Sequence, residues 1–320
     1  MPGRRTIDVN SRSSGLQAFA NLLKCMIGSG ILTLPFVTGK VGLAISLPGL
    51  ALIAYMTQEA IRYVVRCAAH QRLLQGQYVD LDKPSESPMA SGGMEGGFSW
   101  QLVANAAFGR PGVALTTMCL AGAQLGVVAS YLNLVASTLM LHWTGLTVLQ
   151  SRLGLWVGIS SLCMLRPLKS VAVVSAFALC VYAVIFVLVG YYGMHVPPRL
   201  NGSATLTWFA PAHFGSWFGP AIFAFEGAGP ALSIYESMGT TDVRPFFRVL
   251  TVTYLIAVLL YGYVAAAGYV AWGNGVASIL IDSFPPTLLG SGSRTLLAII
   301  IALTYPIQVS PALAHANVAP

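Results

Sequence analysis

Eight stretches of this chain run for about twenty residues almost without charge, and that decides the solvent it folds in. They cover residues 16–38, 41–64, 112–141, 147–165, 170–194, 213–236, 247–273 and 294–315. A bilayer core demands about 20 apolar residues of helix, and lipid tolerates only backbones that satisfy their own hydrogen bonds. Only 8% of the residues are charged, against about 25% in soluble domains, so the fold class is an all-α integral membrane protein.

The formal net charge of +7 reads as topology rather than as a nucleic-acid surface. Consecutive spans alternate direction, which places thirteen of the seventeen lysines and arginines on one side. Only Lys40, Arg152, Arg199 and Arg294 fall on the other. Basic loops stay in the cytosol, so the N-terminal tail 1–15 and the long loop 65–111 are cytosolic. The sequon at Asn201 lies between the fifth and sixth spans, on the opposite side, where a glycosylation acceptor belongs. Trp143, Trp208, Trp217 and Trp272 stand near span ends and fit interfacial anchors.

Two spans carry a weakness in the middle. The first reads NLLKCMIGSGILTLP from Asn21 to Pro35, with Gly28, Ser29 and Gly30 at its centre. The sixth reads PAIFAFEGAGP from Pro220 to Pro230. Glycine is the poorest helix former after proline, so both segments invite a break. Broken backbone at membrane depth survives only where it is buried or lines a cavity, and a matched pair of such breaks points to a binding site. Gly-Ser-Gly taken alone equally suits close helix packing; the pairing favours binding.

The polarity of the breaks sets the ligand chemistry. Freed N–H groups at Gly28, Ser29 and Gly30 start a half-helix and suit a carboxylate. The carbonyls of Phe223, Ala224 and Phe225 end one and suit an ammonium group. Together they form a receptor for a zwitterion. Tyr131, on the third span, either offers its hydroxyl to the carboxylate or packs in the core, the commoner role of a lone aromatic. Glu226 is the one acid at mid-membrane by these spans; it is a candidate proton carrier and, equally, a candidate for a structural hydrogen bond to the broken backbone. The sequence carries no paired His–Glu metal motif, nucleotide loop or serine elbow, so neither an enzyme nor a metal or cofactor site is expected.

These segments, together with Val65–Cys67, Ala107–Gly112, Gln124–Gly126 and Tyr305–Gln308, resemble the amino acid/auxin permease family, most closely its proton-coupled and vacuolar amino acid transporter branches. The resemblance implies a LeuT-type inverted repeat of five plus five helices, unwound at helices 1 and 6. Here that gives a first repeat over 16–194 and an incomplete second over 213–320. It implies secondary transport of neutral amino acids by alternating access, coupled to a proton or to sodium. The membrane is then vacuolar, lysosomal or plasma membrane, with a cytosolic N-terminus. The partners are an amino acid and the lipid bilayer. Animal proton-coupled members carry histidine where this chain has Asn21, which leaves Glu226 as the coupling candidate. Family members continue for two or three helices past the eighth span, so the expectation is a C-terminally shortened form. The second reading is that such a form does not transport and instead acts as an amino acid sensor, regulator or binding partner.

Overall fold

The computed structural model describes residues 13–74, 100–142, 171–195, 206–239, 242–285 and 287–316, with four single positions between 147 and 154. The expected fourth span, most of the cytosolic loop, Trp143, Asn201 and nearly all of the N-terminal tail lie outside the described residues. Within them the chain is entirely helical.

Helix α1 (Gly15–Met26) opens with a capping box in which Ser14 and Gln17 satisfy each other's backbone N–H groups. It ends at Ile27, which is extended, and Gly28, extended at φ −134°. A 3-10 turn over Ser29–Thr33 follows and leads into α2 (Leu34–Val41), which has proline in its first turn. The two halves, Gly15–Met26 and Gly30–Val41, meet at 47°. Helix α2 stops at Gly42, whose φ of +84° only glycine adopts readily. A side chain there would also overlap the Trp208 carbonyl.

Helix α3 (Leu43–Leu74) and α4 (Trp100–His142) flank the long loop, α5 covers Val171–His195, and α6 (Phe214–Ala224) and α7 (Ala228–Ser237) form the second broken segment. Helix α8 (Arg244–Trp272) and α9 (Leu288–Ala316) complete the described set. Helix α8 is the axis: it packs against α1, α2, α3 and α5, while α9 lies along α4 and α5.

Three helical stretches, Leu43–Gln71, Val103–Thr138 and Arg244–Gly275, are each long and apolar enough to cross a membrane. The bent pair makes a fourth if taken as one span, and Phe177–Tyr192 and Leu288–Ala302 are shorter apolar helices. Eight spans are therefore more than the described residues establish.

Helix α3 runs on to Leu74 and α4 begins at Trp100, so both ends of the loop 65–111 are helical. Val65 and Ala68 continue the buried face past Arg66, and the Trp100 indole donates to the Gly229 carbonyl at 3.2 Å. Gly109, whose φ is +64°, kinks α4 just before Pro111. One expectation changes, at Trp217. It is not an interfacial anchor but a core residue, 1% exposed. Its ring fills the slot left by the missing side chain of Gly49, and its N–H donates to the Ser46 hydroxyl at 3.0 Å.

Candidate substrate site

The two breaks meet at the centre of the helical assembly, each closing on the other. A side-chain carbon built on Gly30 would stand 3.1 Å from the Ala224 Cα and 3.1 Å from the Phe223 ring. One built on Gly227 would stand 2.8 Å from the Met26 Cγ. Two layers result. In one, the N-terminal end of the 3-10 turn abuts the C-terminal end of α6. In the other, the C-terminal end of α1 abuts the N-terminal end of α7. Each contact joins half-helix ends of opposite partial charge, which stabilises both in a medium that cannot solvate them.

The expected site residues divide accordingly. Gly28, Gly30, Phe223 and Ala224 stand at the crossing, and Ser29 opens the 3-10 turn there. The Tyr131 hydroxyl reaches the break from α4, 3.7 Å from the side-chain direction of Gly28. Of the three carbonyls, that of Phe223 accepts the Glu226 N–H at 3.2 Å and closes a turn. Phe225 is wholly buried and its ring lies between two tyrosines of α8, 6.3 Å from Tyr254 and 4.8 Å from Tyr261, centroid to centroid. Glu226 is half-buried, and its carboxylate has no hydrogen-bond or ion-pair partner among the described residues.

Sequence reasoning found Tyr131 but missed Tyr182, Tyr254 and Tyr261. Tyr261 is fully buried and donates to the Met26 carbonyl at 2.7 Å, satisfying a group that the break leaves without its helical donor. Tyr182 on α5 lies within electrostatic range of both Tyr131 and Tyr261. The available signal was the heptad spacing of Tyr254 and Tyr261, which puts both on one face of α8.

Beyond the far end of α2, a cavity of about 270 Å³ opens among Phe36, Lys40, Thr207, His213, Asn274 and Val276. None of Gly28, Ser29, Gly30, Phe223, Ala224 and Phe225 lines it. The segment Leu280–Ser283, a short 3-10 turn after α8, reaches inward from this side and packs against the 3-10 turn at Ser29–Thr33. Arg294 holds it there, donating to the carbonyls of Ile281 (2.8 Å), Asp282 (2.8 Å) and Phe284 (2.7 Å). Burial pushes the Asp282 carboxyl above its ordinary value, and the Arg294 charge works against that shift.

The family model for transmembrane amino acid transporter proteins matches residues 11–317, both broken segments included. The chain belongs to that family. Vacuolar amino acid transporter 3 of Schizosaccharomyces pombe is 25% identical over 319 residues, which are 98% of this chain and 44% of that protein. Amino acid transporter AVT3B of Arabidopsis thaliana is 24% identical over 320 residues, 93% of this chain and 70% of the relative. Vacuolar amino acid transporter 4 of Saccharomyces cerevisiae is 32% identical over 98 residues, 30% of this chain and 14% of the relative. The matched region thus spans less than half of the S. pombe relative and about seven-tenths of the A. thaliana one.

Proposed function

We propose that this protein is a secondary active transporter that carries neutral amino acids across a vacuolar or lysosomal membrane by alternating access. The observation that carries the reading is the juxtaposition of two broken helices within a family of amino acid transporters. In this reading α1 with α2, and α6 with α7, are the first and sixth helices of a LeuT-type inverted repeat. The substrate carboxylate meets the N–H groups of Gly28, Ser29 and Gly30 with help from Tyr131. Its ammonium group meets the carbonyl end at Phe223, Ala224 and Phe225. Glu226 takes up and releases the proton that couples transport to a gradient, and the N-terminus faces the cytosol.

Relatives named as vacuolar transporters support the compartment, and the polarity of the half-helix ends supports the zwitterion. The test is uptake of a panel of labelled amino acids into vesicles containing the purified protein, with and without an imposed pH gradient. Gradient-driven uptake of small neutral amino acids is the expected result. Vesicles that take up none of the panel under either condition refute the proposal.

A further inference from the structure

Tyr254 and Tyr261 stand two turns apart on the same face of α8 and touch the same ring, that of Phe225. Their hydroxyls differ. Tyr261 donates to the Met26 carbonyl, whereas the Tyr254 hydroxyl, on a side chain 2% exposed, has no hydrogen-bond partner among the described residues. It lies 3.9 Å from the side-chain direction of Gly227, at the junction of α1 with α7. A buried hydroxyl left unpaired destabilises the protein, and phenylalanine would fill the same space without that cost. Nothing among the described residues completes this hydroxyl.

We propose that the Tyr254 hydroxyl is a ligand-binding group that accepts a hydrogen bond from the ammonium of an amino acid seated between the breaks. The inference rests on the reading of these breaks as the substrate site. The sign of the ligand group follows from the neighbours. The negative end of α1 at Met26 meets the positive end of α7 at Gly227, so the two half-helix ends offset each other. The carboxylate of Glu226, the residue directly before Gly227, is the charge left beside the hydroxyl. Lys24, the nearest basic residue on α1, is turned about 200° round the helix from Met26. A cationic donor is therefore favoured over an anion.

The experiment uses the full chain in vesicles and in detergent, as wild type, Tyr254→Phe and Tyr261→Phe. L-alanine, ethylamine and propionate serve as inhibitors of labelled L-alanine uptake, and the ligand-free melting temperature is measured for each variant. In Tyr254→Phe the inhibition constants for L-alanine and ethylamine should rise at least about tenfold, as expected for a lost hydrogen bond to a charged group. Propionate should be unaffected. The ligand-free melting temperature should equal or exceed that of wild type, while Tyr261→Phe should melt lower. Unchanged L-alanine inhibition, a loss confined to propionate and L-alanine, or a lowered melting temperature in Tyr254→Phe overturns the inference. If wild type itself shows no amino acid uptake or binding, the site reading fails first and this inference falls with it.

Discussion

Adding one methyl group at Gly30 tests whether the two breaks work as a unit. In Gly30→Ala the new carbon would lie 3.1 Å from the Ala224 Cα, 3.1 Å from the Phe223 Cδ1 and 3.4 Å from the Ala224 nitrogen. Carbon atoms pack best at about 3.5–4.0 Å, so the overlap is several tenths of an ångström. The Phe223 ring can turn aside. The Ala224 backbone cannot, because it closes α6, so the end of that half-helix must shift. Overpacking of this kind costs about 1–3 kcal/mol. If the contact opens and closes during transport, the same energy biases the equilibrium toward the open arrangement by about 5–150-fold. The assay is initial uptake of labelled L-alanine in reconstituted vesicles, alongside the melting temperature in detergent. Gly122→Ala is the control, since nothing lies within 4 Å of its added carbon. Gly30→Ala should lose most uptake with a modest fall in melting temperature, and Gly122→Ala should lose neither. Wild-type uptake and stability in Gly30→Ala would refute the reasoning that the breaks close on each other.

Glu226→Gln should leave membrane insertion intact and flatten the dependence of uptake on a pH gradient; a wild-type profile removes Glu226 as the proton carrier. Asp282→Asn addresses the clamped loop. Burial raises the folded pKa of Asp282, so the folded state holds this proton more tightly than the unfolded chain. Its contribution is fully present below the ordinary carboxylate value of about 4 and is lost as pH rises through the raised one. Wild type should therefore melt lower as pH rises through that window, and Asp282→Asn should show a shallower fall; parallel curves contradict the assignment. Gly49→Ala should destabilise by about 1–3 kcal/mol through collision with the Trp217 ring. Thermal melts should then show part of that loss recovered when Trp217→Phe is added, and no recovery means the ring is not the obstacle.

The breaks were legible because glycine inside an apolar run is a statement about backbone, and backbone consequences stay local. Gly28 to Gly30 and Glu226 to Gly229 mark the interruptions to within a residue or two. What the sequence hid are partnerships that join side chains to distant main-chain atoms. The Tyr261–Met26 bond spans 235 positions, and an acceptor carbonyl has no sequence signature. The Arg294 clamp is hidden for the same reason. Trp217 was misread because distance from a span end says nothing about which way a ring points. Its real complement was the missing side chain of Gly49, with Ser46 three residues earlier offering the hydroxyl. Gly109 shows the reverse limit: it stands in a motif of the sequence, but the hydrogen bond from Trp100, at the start of the helix that precedes it, to the distant Gly229 carbonyl has no such mark.

The hydrogen bond from Tyr261 to Met26 has a mechanical meaning. It fastens the break end of α1 to α8, the helix that packs against α1, α2, α3 and α5, and so provides a fulcrum. Helix α1 has twelve residues and makes a lever about 18 Å long, so a tilt of about 10° carries its Gly15 end through about 3 Å. At that end the Ser13 N–H donates to the Ser237 carbonyl, which terminates α7, at 2.9 Å. Helices α1 and α7 are thus bonded at the Ser13 and Ser237 end and packed together at Met26 and Gly227, so in the alternating-access reading proposed above they would move as one unit.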